Sequence, residues 1–338
     1  MSRILSIPDV HGSHKWEVVK NLSAQNYDYI VFHGDYFDCW ENEWPDQGEN
    51  FKNICTFVRE DTDHRKLLLG NHDWSYLTGT GTDSCSGHQG GRALEIRNLL
   101  KQNLDIIDIA FECDGWVFSH AGFSSTWVNA MRKIFHNIFD KDGYEWREED
   151  FSVDFLNRQF HKFGHSSDEK DFHYEFDELL DWYGFFSGSG DEVTQGPLWI
   201  RPTSLLEDAY YKNQVVGHTE LCLYDKVYLQ KNDNKVIIVD SSIHEVYDVF
   251  DTNAEYDFLT IKEYCKLYKQ TLKVINDIKS QIFYHKDAEE FVRQSLKKHF
   301  TDDVVARLVR NAFGDYLGKF LKVRSNLKIP FKIKKAPS

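Results

Sequence analysis

Asp, Asn and His side chains recur in this chain inside five short motifs: Asp9-Val10-His11-Gly12, Gly34-Asp35-Tyr36-Phe37-Asp38, Gly70-Asn71-His72-Asp73, Ser119-His120-Ala121-Gly122 and Gly217-His218-Thr219. Carboxylate and amide oxygens and imidazole nitrogens are donors that first-row divalent metals accept. Nearly every motif starts just past a short apolar run of β character. Taken singly, each has an ordinary alternative. Asp9-x-His11 would cap a helix, Gly34-Asp35 would turn the chain, Gly70 to Asp73 would be a loop after a strand, and His120 and His218 would be satisfied core or loop histidines. No single structural need gathers all of them at converging loops, so the conjunction predicts one shared metal centre.

The elements that must position these donors follow from hydrophobic pattern. Ile4–Ile7, Tyr29–Phe32, Lys66–Leu69, Ile106–Ala110, Trp116–Phe118, Gln214–Val216 and Lys235–Val239 are short apolar runs and read as buried strands. Helical spacing in His14–Ala24, Gly48–Arg59 and Gly91–Lys101 alternates with the early strands. That alternation predicts a layered α/β fold with parallel strands in the first half. The later strands, without long helical crossovers, are expected to pair antiparallel. In open α/β sheets ligands bind beyond the carboxyl ends of strands, where Asp9, Asp35, Asn71, His120 and His218 all fall.

The division of the chain is expected to be a catalytic domain over 1–250 and a helical C-terminal extension over 251–338. The extension shows helical spacing in Ile261–Ile282, Ala288–Phe300 and Val304–Leu321, with Thr301 as the N-cap of the last. A helical cap is expected to interrupt the catalytic domain at about 127–196, where 16 acidic residues outnumber 7 basic ones. Its aromatic side chains, Phe135, Phe155 and Phe160 among them, form either a small core of its own or a lid over the site.

The net charge of −14 is uneven: residues 251–338 carry +7 and the rest −21. General nucleic-acid binding is therefore not expected on the acidic catalytic part, which repels phosphates. The basic helices are packed helices with solvated lysines, or else a surface for oligomerisation or nucleic-acid contact. No apolar run nears the roughly 18 residues of a membrane span, and the N-terminal apolar stretch is too short for a secretion signal. The six cysteines show no paired spacing, which suits free thiols in a reducing, cytoplasmic setting.

The five motifs together resemble the calcineurin-like metallophosphoesterase superfamily, in order and spacing its phosphoprotein-phosphatase branch of bacterial and phage type. The resemblance spans Ser2–Asp240 and implies two divalent ions, about 4 Å apart. It assigns Asp9, His11 and Asp35 to one ion. Asp35 would bridge to the second, which adds Asn71, His120 and His218. The ions would be Mn, Fe, Zn, Co or Ni, with Mn expected first. The implied activity is phosphate monoester hydrolysis by a metal-bridging hydroxide, with His72 protonating the leaving oxygen and Asp38 orienting His72. The bland role for His72 is structural support of the centre.

Three departures stand out. Cys39 occupies the place where that branch carries a phosphate-gripping Arg after Gly-Asp-x-x-Asp, and Asp73 stands in place of Glu. Gly217-His218-Thr219-Glu220 lacks the second His of nuclease and phosphodiesterase relatives. Arg201, in Leu198-Trp199-Ile200-Arg201, is the candidate replacement clamp, or else an ion-pair partner of the acidic cap. Arg92, beside the glycine-rich Gly87-His88-Gln89-Gly90-Gly91 loop, is a second candidate. Substrates open at this point are a phosphoprotein or small phosphomonoester, a dinucleoside polyphosphate such as diadenosine tetraphosphate, or a phosphodiester. A non-catalytic binding scaffold is the alternative from another class.

Overall fold

Short β-branched and aromatic runs bounded by turn residues form strands here because both faces of each run can be buried. The computed structural model describes residues 2–22, 27–39, 44–78, 85, 87–141, 151–164, 192–219, 227–240, 248–252, 254, 259–260, 263 and 294. The chain forms two compact units: Met1–Leu221 with Asp225–Ile261, and Cys222–Tyr224 with Lys262–Ser338. Of the second unit only Glu263 and Gln294 are described, so the helices expected beyond Lys262 fall outside the described residues.

The first unit is a mixed α/β fold with two five-stranded sheets. Strands β1 (Arg3–Ile7), β2 (Tyr29–Phe32), β3 (Arg65–Leu68) and β4 (Ile107–Asp108) run parallel, and β10 (Asp248–Asp251) pairs antiparallel with β1. The second sheet has the order β5 (Ala110–Cys113), β6 (Trp116–Ser119), β7 (Asn213–Val216), β9 (Asn234–Ile238) and β8 (Val227–Lys231). Alternation along each strand divides the core. Ile4, Val31 and Leu68 from one sheet meet Phe118, Val215 and Ile237 from the other. Leu5, Ile7, Ile30, Phe32 and Leu67 point the opposite way, into a larger cluster with Phe51, Ile54 and Val58 of α1 (Asp46–Arg59).

Some elements differ from the sequence expectation. β7 and β9 pair parallel, not antiparallel. The tight β8–β9 hairpin reverses the chain, and β9 inserts between β7 and β8, so β8 does the work of a crossover helix. The run Ile106–Ala110 is not one strand: it changes sheets after β4 and continues as β5. Asn157 makes that switch tolerable. Its Oδ1 accepts the Ile109 and Ala110 amides at 2.9 and 3.3 Å, and its Nδ2 donates to the Ala110 carbonyl at 2.8 Å.

Asn157 lies on α5 (Val153–Gly164), inside the expected cap. Phe135 of α4 (Ser125–Lys141), with Phe155 and Phe160 of α5, belongs to the main core cluster and not to a separate one. Docking on the sheet switch is the physical reason. The remaining aromatic residues of that segment lie largely outside the described residues. Two shorter helices complete the site's surroundings, α2 (Asn71–Thr78) and α3 (Ala93–Lys101), and a third, α6 (Pro202–Glu207), follows the Trp199–Arg201 segment. No described helix is long and apolar enough to cross a membrane.

Candidate metal centre

Parallel strands aim their carboxyl ends one way, and both sheets do so here. Asp9, Asp35 and Asn71 follow β1, β2 and β3, while His120, His218 and Asp240 follow β6, β7 and β9, each one to three residues past its strand. The loops turn sharply to do this. His11, Asp35, Asp38 and His218 hold φ of 41°, 52°, 67° and 60°, a left-handed region that costs a non-glycine residue about 1–3 kcal/mol. The Gly34 and Gly70 loops touch backbone to backbone: a Cβ on Gly34 would stand 2.5 Å from the Gly70 nitrogen. Asp73 ties them, accepting amides from Asp35, Tyr36 and Gly70 at 2.8, 2.9 and 3.0 Å.

Two donor groups share Asp35: one with His11 and His72, the other with Asp9 and His120. Asp35 Oδ2 lies 3.8 Å from His11 Nε2, 3.9 Å from His72 Nε2 and 3.6 Å from His120 Nε2. Asn71 and His218 gather about His120 of the second group. His120 Nε2 is 2.7 Å from Asn71 Oδ1 and 3.1 Å from His218 Nδ1, which is 3.0 Å from the same Asn71 oxygen.

Backbone carbonyls decide what these atoms are. A carbonyl only accepts, so the imidazole nitrogen facing it carries the proton. His120 Nδ1 donates to the His33 carbonyl at 2.8 Å and His218 Nε2 to the Trp199 carbonyl at 3.1 Å. His120 Nε2, His218 Nδ1 and Asn71 Oδ1 therefore aim lone pairs at one another with no proton between them. Protonating the rings is disfavoured, since burial pushes both His120 and His218 below the ordinary range, with Arg201 adding to the effect at His218. A cation fits such a cluster where a hydrogen bond does not. His11 repeats the pattern: Nδ1 donates to the Phe37 carbonyl at 2.9 Å, leaving Nε2 open towards Asp35.

The carboxylates ask for positive charge as well. Burial drives Asp9 well above the usual carboxylate range, and neighbouring Asp240 and Asp35 push it further. Asp9 Oδ1 is fixed by the His218 amide at 3.1 Å. Burial also opposes ionisation of Asp35, but His120, His72, His11 and His218 overcome it and hold that carboxyl well below its usual range. His72 goes the other way. Burial disfavours its charge, yet Asp35 and the hydrogen bond to Asp38 raise it to about 9. Its Nδ1 meets Asp38 Oδ2 at 2.7 Å, with the Asp38 side chain wholly buried.

The calcineurin-like phosphoesterase family profile matches residues 2–239, which contain all of these residues except Asp240. The chain belongs to the calcineurin-like phosphoesterase family. It is accordingly a phosphoric ester hydrolase of a metal-dependent family, and the fold carries the donor groups that dependence requires. No curated protein sequence matches it. Solved structures with a partial likeness include a cold-active protein-tyrosine phosphatase of a psychrophilic Shewanella species, at 20% identity and a TM-score of 0.46 over 72% of each chain. Another is a serine/threonine phosphatase of Saccharomyces cerevisiae, at 14% identity and a TM-score of 0.38 over 71% of this chain and 67% of that one. A third is the phosphatase domain of the Legionella effector WipB, at 13% identity and 0.35 over 62% and 80%. Family membership rests on the profile match and not on these likenesses.

Around the phosphoesterase centre the two candidate arginines have different surroundings. Arg201 Nη1 donates to the His218 carbonyl at 2.7 Å and to Thr219 Oγ1 at 3.3 Å, which places it against a ligand loop. Arg92 is half exposed and pairs with Glu95 at 2.8 Å. Cys39 borders the site, its Cβ lying 2.9 Å from where a Gly12 Cβ would sit. Its backbone is held by Gln47, which accepts the Cys39 amide at 3.2 Å. Sequence reasoning passed over Tyr76, Gln47 and His33. His33 is fully buried; its carbonyl orients His120 while its Nδ1 donates to the Ser119 carbonyl at 3.0 Å. Only Tyr76 left a usable signal, since it stands one helical turn after His72.

Proposed function

We propose that the protein is a two-metal phosphomonoesterase. Asp9, His11 and Asp35 would hold one divalent ion, with Asp9 also standing in the donor group of Asp35 and His120, and Asp35, Asn71, His120 and His218 would hold the other. When bound, a pair of dications supplies charge for the phosphoryl oxygens and makes a water acidic enough to attack phosphorus near neutral pH. His72 gives its Nε2 proton to the leaving oxygen as the phosphorus–oxygen bond breaks, so the alcohol departs neutral. Asp38 keeps the Nδ1 proton in place and sustains the charged ring. Arg201 offers parallel hydrogen bonds to phosphate oxygens, and Arg92 is the weaker candidate because Glu95 already engages it.

The observation that supports a catalyst over a binding scaffold is the Asp38–His72 pair. Ion binding alone needs no buried carboxylate hydrogen-bonded to an imidazole at the edge of the donor cluster. Mn remains the ion expected first, although mixed nitrogen and oxygen sites accept Mn, Fe, Zn, Co or Ni and availability decides among them. A substrate panel tests the reading: phosphopeptides and aryl and alkyl monoesters against diadenosine tetraphosphate and aryl diesters. Turnover of monoesters is expected. Turnover confined to the anhydride or diesters would refute the monoesterase assignment.

A further inference from the structure

We propose that Tyr76 is a positioning residue for His72, acting through the second oxygen of Asp38 and tied to the glycine-rich loop through Gln89. The inference deepens the proposed function, since it rests on His72 being the proton donor. Tyr76 lies on α2, four residues after His72, and is 1% exposed. Its hydroxyl donates a short hydrogen bond to Asp38 Oδ1, while Asp38 Oδ2 meets His72 Nδ1. Those are the hydrogen bonds to the Asp38 carboxylate among the described residues. With both oxygens held, the plane of the carboxylate is fixed. A fixed plane directs the imidazole, so that Nε2 faces Asp35.

The direction of the hydroxyl proton is also determined. The Gln89 amide donates to Tyr76 Oη at 2.7 Å. An amide only donates, so it occupies a lone pair of the hydroxyl and leaves the proton for Asp38. His88 stacks on the Tyr76 ring at 4.2 Å with planes 15° apart, which restrains rocking of the phenol. Gln89 in turn donates its side-chain amide to Gln47 Oε1 at 3.0 Å, and Gln47 also receives the Cys39 amide. A chain of directed bonds thus runs from the loop at Gln89 through Tyr76 and Asp38 to the ring of His72. A buried tyrosine serving packing alone would need one partner for its hydroxyl, whereas Tyr76 has both a carboxylate acceptor and an amide donor.

Tyr76→Phe removes the hydroxyl and keeps the ring. In the metal-loaded 338-residue protein, kcat for an alkyl phosphate, whose leaving group needs a proton, is expected to fall about 10-fold at unchanged KM. An aryl phosphate with a good leaving group is expected to change little. His72→Ala sets the scale, at about 10²-fold or more for the alkyl ester. In the metal-free protein the His72 Nδ1–H resonance is expected to shift in Tyr76→Phe. Adding the substitution to Asp38→Asn is expected to bring little further loss, because both act on one chain. An unmoved resonance in a folded Tyr76→Phe protein overturns the inference, as does full additivity with Asp38→Asn. Should His72→Ala treat alkyl and aryl esters alike, the proton-donor reading fails, and the resonance still decides the role of Tyr76. If Tyr76→Phe does not fold, 3-fluorotyrosine placed at position 76 keeps the bulk and alters the hydroxyl. The same resonance must then move, and its constancy overturns the inference.

Discussion

Asp35→Asn separates a carboxylate shared by two ions from a residue serving one. The two side chains match in size, and an amide oxygen still accepts the His72 amide that Asp35 Oδ1 receives at 2.9 Å. The loops should therefore keep their shape while one negative charge disappears. Unit charges 4 Å apart attract by about 4 kcal/mol at an effective dielectric near 20. Each dication lying between Asp35 and its imidazoles stands to lose at least that much, or about 10³-fold in affinity. Both ions should weaken together, because Asp35 Oδ2 lies 3.8 Å from His11 Nε2 and 3.6 Å from His120 Nε2, a donor proposed for each ion. Elemental analysis of purified protein, with calorimetric titration of Mn, reads the effect. His72 reports it independently, since Asp35 is the largest of the influences that raise it. Full occupancy of two ions in Asp35→Asn would refute the shared role, and loss of one ion alone would confine Asp35 to a single site.

His72→Ala should lower turnover about 10²-fold or more with metal content intact; loss of an ion would instead mark His72 as a ligand beside His11 and Asp35. In metal-free protein His72 should titrate near 9 by NMR. Its raised value adds stability that is fully present below about 6.5, the ordinary histidine value, and is lost as pH rises through about 9. Binding of zinc should move the midpoint down, because dications repel the imidazolium and neutralise Asp35. Gly70→Ala should abolish metal uptake and lower thermal stability, as its Cβ would overlap the Asp35 carboxylate and backbone. Arg201→Ala should raise KM for phosphomonoesters more than it lowers kcat, and an unchanged KM would remove Arg201 from the substrate site.

The candidate donors were legible as polar residues just past short apolar runs, and the resemblance of their five motifs to a known family assigned them to ions. The strand-end rule placed Asp9, Asp35, Asn71, His120 and His218 at the carboxyl ends of strands, where the structure has them. What escaped were features set by partners distant in sequence. α2 opens directly on Asn71 without a conventional cap, since Asp35 Oδ1 in another loop receives the His72 amide. The break between β4 and β5 depends on Asn157, nearly fifty residues away, filling the hydrogen bonds of Ile109 and Ala110. Parallel pairing of β7 with β9 hinges on β8, whose run Val227–Lys231 alternates Val227 and Leu229 with Tyr228 and Gln230 and is not continuously apolar. The carbonyls of His33, Phe37 and Trp199 fix the imidazole tautomers, and backbone atoms leave no trace in residue identity.

Where cations sit in the donor cluster is the most direct measure of a shared two-ion centre. Anomalous diffraction at the manganese edge, from crystals of the full chain soaked in Mn, should show two peaks on either side of the Asp35 carboxylate. One would lie among Asp9, His11 and Asp35 and the other among Asp35, Asn71, His120 and His218. A single peak, or peaks away from these side chains, would contradict it.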